Sequence, residues 1–416
     1  MIQRLSDMLR HPDATIRRQG VELAESLAEA PENHAMLCEA KLDASRIPTG
    51  VVAALMLRLP RGVLSTAPGR SLMLKLPFNL PELALLADRP RLGGLHIVEA
   101  EPSALPPITF PAHLTGLTLY CLRSASLLEA VVASELPALT ELNLDQLDDA
   151  VELSGLGLLS TLHSLAIQSA PGVLLTVLPP TLRCLRLERV RLAPDALSLA
   201  RGLTELSVVD CGVDGLLDLP SPGALRRIRL EGMALTAIPA GLLAQPDLTS
   251  LSLCRNGLLA LPESIWTMAW LEELQVSDNR LFILPQSIGQ LTALRCLDLS
   301  SNQLTTLPDS IRGLTALEEL MLQDNPLSTL PDAVGALRSL KKLWLGRTGL
   351  TALPPCLFDL PQLEELELRG LQIRQFPPPE AFPMLRRVRI DRAREGAARQ
   401  WSRQRIRAGR APLLVQ

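Results

Sequence analysis

Seven thiols stand at Cys38, Cys121, Cys184, Cys211, Cys254, Cys296 and Cys356. No two form a CxxC pair, the number is odd and the gaps are wide, so neither a zinc ribbon nor a disulfide framework is indicated. Reduced, scattered thiols are the expectation. The five histidines, His11, His34, His96, His113 and His163, form no HxxxH or HExxH pair, and no metal site is assigned. Adjacent carboxylates such as Glu272–Glu273, Glu318–Glu319 and Glu364–Glu365 have the residue types of an acid/base pair. They recur with a repeated template, however, and are read as part of it. No GxxxxGK[ST], GxGxxG or GxSxG lies where a strand, a turn and a helix would support it. A non-enzymatic protein without a cofactor is expected.

The template that carries those carboxylates is L-x-x-L-x-L-x-x-N-x-L-x-x-L-P. One copy reads Leu248, Leu251, Leu253, Asn256, Leu258, Leu261, Pro262, and the next reads Leu271, Leu274, Val276, Asn279, Leu281, Leu284, Pro285. The frame restarts at Leu294, Leu317, Leu340 and Leu363, and upstream at Leu225, always 23 residues apart. Before that it loosens, with starts at Leu203, Leu182, Leu162, Leu139, Leu114 and Leu92 and spacings of 20 to 25. Weaker copies fall at Leu72 and Leu74, at Leu55 and Leu57, and at Leu385, Val388 and Ile390. A fixed period of this length marks a stacked repeat architecture.

The blocks LPESIWTMAWLEELQVSDNRL and LPDSIRGLTALEELMLQDNPL resemble leucine-rich repeats of the 23-residue Leu-Pro-x-x-Ile type. They are similar to the repeats of Ras-suppressor-like and Ras-binding scaffolds and of bacterial proteins that include injected effectors. The resemblance spans Leu225 to Pro377 closely and Leu92 to Leu216 more loosely. It implies an α/β solenoid, a horseshoe with short parallel concave strands and 3₁₀ or extended convex segments. Some bacterial effectors with such repeats add a helical ubiquitin-ligase domain with a catalytic cysteine. No cysteine follows Cys356 in this chain, and too few residues follow the repeats to make that domain.

The spacing explains itself physically. The last two leucines of L-x-x-L-x-L are two residues apart, so on a strand they share the inward face. One repeat cannot bury them alone, and stacking neighbours does. The Asn side chain can pair with backbone groups left over where the chain leaves the strand. Asn256, Asn279, Asn302 and Asn325 therefore predict a ladder confined to the middle of the C-terminal half. The proline of the Leu-Pro step lacks an N–H and starts the convex turn.

Outward positions on the concave strands form the candidate binding surface. The frame places Gln275, Asp298, Met321, Trp344 and Glu367 in one line, with Glu273, Glu319 and Lys342 in the line beside it. An acidic face around Glu273, Asp298 and Glu319 predicts a basic or mixed-charge protein partner. Trp344 with Met321 is the expected contact centre, because tryptophan concentrates at binding hot spots; the alternative is local packing against Met321 and the stem of Lys342. Trp266 and Trp270 fall on the convex side and are read as packing or convex-surface residues, with binding there as the alternative.

Four segments are expected: a helical N-terminal cap over 1–50, irregular repeats over 51–224, regular repeats over 225–390, and an Arg-rich cap or tail over 391–416. From Arg386 to Gln416, ten arginines face only Asp391 and Glu395, a net +8 that leaves −11 on residues 1–385. A capping helix and an anionic-surface binder, for nucleic acid or acidic lipid, both fit this tail.

The composition sets outer limits. Leucine fills 93 of 416 positions, charged residues make 20% and the net charge is −3, which excludes a disordered chain and one that binds nucleic acid throughout. No apolar run reaches the roughly 18 residues of a membrane span, and the first 18 residues lack a secretory pattern. The reading is a cytoplasmic, monomeric protein-interaction scaffold from a GC-rich bacterial gene. An injected effector acting on host signalling is the further alternative.

Overall fold

The computed structural model describes residues 112–122, 126–134, 136–148, 153–193, 195–197, 200–213 and 223–416 (apart from 372, 374 and 375), with 71–76, 94–99 and a few short pieces. The helical cap expected over 1–50 lies outside the described residues. The chain divides into two compact units, 1–202 and 203–416.

In the first unit, β1 (Ser71–Leu76), β2 (Gly94–Glu99), β3 (Gly116–Tyr120), β4 (Glu141–Asp145), β5 (Ser164–Leu175) and β6 (Cys184–Leu192) pair in parallel, each with the next. Register aligns Leu95, Leu117, Leu142, Leu165 and Leu185, all buried, so the leucine spacing does set the inward face. Variation in spacing has structural consequences. The 25 residues from Leu114 to Leu139 leave room for α1 (Ser126–Ala133), which buries Leu127, Leu128 and Val131. The 20 residues from Leu162 to Leu182 do not. There β5 runs on through Pro171 and Gly172, with a register break between Ala170 and Leu174, and pairs again as Leu175 with Leu192.

The second unit is more regular. β7 (Glu205–Val209) and β8 (Arg227–Glu231) lead into three-residue strands: β9 (Ser250–Ser252), β10 (Glu273–Gln275), β11 (Cys296–Asp298), β12 (Glu319–Met321), β13 (Lys342–Trp344), β14 (Glu365–Glu367) and β15 (Arg387–Arg389). All pair in parallel, in register, at the repeat interval. Opposite the sheet, Pro239, Pro285, Pro308, Pro331 and Pro354 each precede a 3₁₀ segment, while Pro262 precedes the single helical turn α2 (Glu263–Trp266). Proline's fixed φ starts these turns, and eight residues leave no room for more. The third residue after each proline, Leu242, Ile265, Ile288, Ile311, Val334 and Leu357, is fully buried against the strand leucines. Each fully buried Leu or Ile contributes on the order of 1.5–3 kcal/mol, against the entropy of ordering it.

Between strand and turn stands the asparagine ladder. Asn302 Nδ2 donates to the carbonyls of Val276, Leu299 and Ser300 at 3.0–3.1 Å, and its Oδ1 accepts the Leu281 N–H at 3.0 Å. Asn256, Asn279 and Asn325 repeat the pattern, each tying its own turn to the preceding repeat. Thr348 holds the position one repeat on and donates only to Leu345 O, at 2.8 Å. The residue before each Asn has a left-handed backbone: Arg255, Asp278, Ser301 and Asp324, with φ of 51° to 58°. That conformation is uncommon for a residue with a Cβ. Here it is held because each of these N–H groups reaches a carbonyl in the next repeat, at 2.9–3.1 Å.

The chain closes with α3 (Glu395–Arg407) and β16 (Leu414–Val415), which pairs with β15. Ala398 and Trp401 of α3 are buried, and the Trp401 ring lies 5.4 Å from that of Phe376 and 6.5 Å from that of Phe382. Arg405 is also fully buried, and its guanidinium donates to the carbonyls of Ala381 and Phe382.

Candidate functional site: the strand face of the second unit

The alternation of β-strand side chains leaves every second residue of these strands on the face away from the leucines. Register then fixes neighbours. Gln275, Asp298, Met321, Trp344 and Glu367 form one row, and Glu273, Cys296, Glu319, Lys342 and Glu365 form the next. All eight sequence-derived candidates therefore stand on a single surface; Glu273 is exposed and the other seven are partly exposed. Met321 and Trp344 are direct register partners. At roughly 4.8 Å between strands, the two make one continuous aliphatic–aromatic strip.

The charges on this face are organised along the repeat axis. Lys342 Nζ lies 2.5 Å from Glu319 Oε1, and Arg387 pairs with Glu365. Just outside the strands, Arg295 pairs with Glu318, which also holds Lys341 at 2.6 Å, and Arg347 Nη2 donates to Asp324 Oδ2 at 2.6 Å. Hydrogen bonds from Lys341 and Arg295 hold the Glu318 carboxyl below its usual range, and the Arg347 hydrogen bond does the same for Asp324. The face is thus less acidic than its residue list suggests, because Glu319 already has a cation.

Two carboxylates are placed differently. Asp298 Oδ1 accepts from Ser300 N and Oγ, at 2.9 and 2.6 Å. Glu367 sits in a notch where burial pushes its carboxyl above the usual range, opposed by the N–H groups of Arg369 at 3.1 Å and Gly346 at 2.8 Å. A Cβ at Gly346 would overlap the Glu367 carboxylate and make that side chain move. Burial, followed by the charges of Glu319, Glu273 and Asp298, pushes the Cys296 thiol up to about 12, which removes it as a nucleophile near neutral pH.

Sequence reasoning missed a polar cluster at the start of this face. Glu231 is 5% exposed and takes Ser252 Oγ at 2.6 Å and Arg229 Nε at 2.7 Å, with Arg255 at 3.8 Å. Ser252 is itself buried although the template turns it outward, because the Glu231 side chain bonds to its hydroxyl. The Cys254 sulfur lies 3.1 Å from Ser277 Oγ, which extends the chain into the next repeat. The sequence does carry a signal, since Glu231 sits at an outward position of its repeat, although Met233 replaces the Asn of the template there. Of the two convex-side tryptophans, Trp266 is buried as a packing residue and Trp270, 45% exposed, lies on the surface. Among the described residues no group of His, Cys, Asp and Glu is arranged to hold a metal ion, and no helix is long and apolar enough to cross a membrane.

Residues 270–327 match the leucine-rich repeat family model. No curated protein sequence matches the chain. Among solved structures, the chain is similar to a leucine-rich-repeat protein of Leptospira interrogans, with 24% identity, 80% of this chain and 98% of that one covered, and a TM-score of 0.60. It is also similar to an internalin of Listeria monocytogenes, with 17% identity, 87% and 96% covered, and a TM-score of 0.51. At these identities the likeness establishes the fold, a leucine-rich-repeat solenoid.

Proposed function

We propose that this chain is a non-enzymatic protein-binding scaffold whose partner docks on the strand face of the second unit. The observation that carries this reading is the register pair Met321–Trp344, partly exposed on a face where Glu319 and Glu365 already hold cations. A large, rigid aromatic with an adjoining flexible thioether is the composition of a contact centre. Gln275, Asp298 and Glu273 on one side and Glu367 and Lys342 on the other supply a polar rim. Because Lys342 neutralises Glu319, the partner surface that fits is of mixed charge rather than strongly basic. The repeats are of the 23-residue Leu-Pro-x-x-Ile type, whose period keeps this row of side chains straight from strand to strand.

The test compares partners retained by the full chain with those retained by Trp344→Ala/Met321→Ala. Loss of specific partners at unchanged melting temperature supports the reading. An identical partner set places the contact elsewhere.

A further inference from the structure

Many cations along the sheet of the second unit are matched to carboxylates, whereas the row on α3 mostly is not. Along the sheet, Arg227, Arg229, Arg255, Arg295, Lys341, Lys342, Arg347 and Arg387 each meet a carboxylate, most of them one repeat away. On α3 the pattern stops. Arg399, Arg403 and Arg407 recur every four residues, and among them only Arg399 has an ion pair among the described residues, an exposed one with Glu395 at 3.1 Å. Gly396, Gln400 and Gln404 fill the spaces between them, and together these six residues line a shallow open notch of about 460 Å³ along the helix. The buried side of α3 is made by Ala398, Trp401 and Arg405. At 100° per residue this puts the arginine stripe on the side of the helix away from the protein.

We propose that the outer face of α3 is a phosphate-backbone site whose occupant is duplex nucleic acid. The stripe is about 12 Å long at 1.5 Å per residue, and a duplex presents about seven phosphate charges over that length. Guanidinium groups suit phosphate because their planar donors bind it bidentately, and every basic residue of the tail is arginine. The two glutamines add neutral donors that cost no charge balance.

Other occupants fit less well. A bilayer recruits an interfacial helix through an apolar face, whereas Ala398 and Trp401 of α3 are buried and only Ala397 and Ile406 of its apolar residues stand exposed. Single strands are held by base stacking on exposed aromatics, and Trp401, the one aromatic of α3, is 2% exposed. Arg405 behind the stripe forms no ion pair among the described residues and is held by the carbonyls of Ala381 and Phe382 instead.

The experiment uses the full chain and a fluorescein-labelled 20-base-pair DNA duplex of arbitrary sequence, with anisotropy read from 25 to 200 mM KCl. Binding with a log K against log salt slope of about −3 is expected, at about 0.9 per neutralised phosphate. R399Q/R403Q/R407Q should abolish binding, while R280Q/R312Q/R338Q, which removes the same charge from exposed positions of the repeats, should keep it. Circular dichroism melts confirm that both variants fold. The proposal is overturned if the duplex is not bound at 25 mM KCl, if both triple variants lose binding equally, or if phosphatidylserine vesicles are bound and the duplex is not.

Discussion

Lys342 and Glu319 are joined across one repeat at 2.5 Å, and the same ammonium lies 6.0 Å from the centre of the Trp344 ring. The pair therefore does two things on the strand face: it cancels a carboxylate and it sets a cation beside the exposed aromatic. Its contribution to stability is small because both side chains keep about a third of their surface in water. A double-mutant cycle with Lys342→Ala and Glu319→Ala in urea unfolding should return a coupling of about 0.5 kcal/mol. The Glu319 hydrogen bond raises the Lys342 pKa. This coupling is therefore complete below the usual lysine range and is lost as pH rises through the folded-state value.

Asn302 should be far more costly to lose. It is 6% exposed and makes four backbone hydrogen bonds, so Asn302→Ala strands the Leu281 N–H and relaxes three carbonyl contacts. Destabilisation of about 2–4 kcal/mol is expected from the orphaned groups. Asn302→Thr, which can copy the single Thr348 bond, should cost less. Urea midpoints at constant m-value decide between these outcomes.

Glu231 predicts an acid-limb effect. Burial alone would raise its carboxyl, but hydrogen bonds from Arg229 and Ser252 and the charges of Arg229 and Arg255 hold it below the usual value. A depressed carboxyl stabilises the fold above its unfolded pKa, and that contribution fades as pH falls through the folded value. Glu231→Gln should accordingly lower stability at pH 7 and shrink the stability difference between pH 7 and pH 3. Equal losses at both pH values would show that the charge is not what matters.

Cys296 should resist alkylation. With its thiol raised to about 12 by burial and by Glu319, Glu273 and Asp298, iodoacetamide at pH 8 should label it far more slowly than free cysteine, as read by peptide mass spectrometry. Glu319→Gln removes the first of the three charges and should speed labelling without unfolding the chain.

How much of this was legible in the sequence differs between levels. Leu251, Leu274, Leu297, Leu320, Leu343 and Leu366 are buried in register because an interval of 23 residues and a two-residue leucine step leave no other arrangement. The asparagine ladder was readable for the same reason. The extension of β5 through Pro171 and Gly172 was not, since it follows from what the shortened spacing after Leu162 leaves out. For the candidate site, the template placed Trp344 and Met321 outward among acidic neighbours but did not show that Lys342 pairs with Glu319. The Arg295–Glu318–Lys341 chain connects residues 23 apart, and it becomes visible only when the repeats are aligned column by column. Arg405 belongs by sequence to the basic tail, yet it is buried, because the carbonyls it satisfies are those of Ala381 and Phe382.

The most direct test of docking on the strand face is site-specific photocrosslinking in native extract, with benzoylphenylalanine placed singly at Trp344, Met321, Trp270 and Arg312. Adducts of the same partner at 344 and 321, with none at 270 or 312, are the predicted result. Adducts at 270 or 312 with none at 344 and 321 would contradict it.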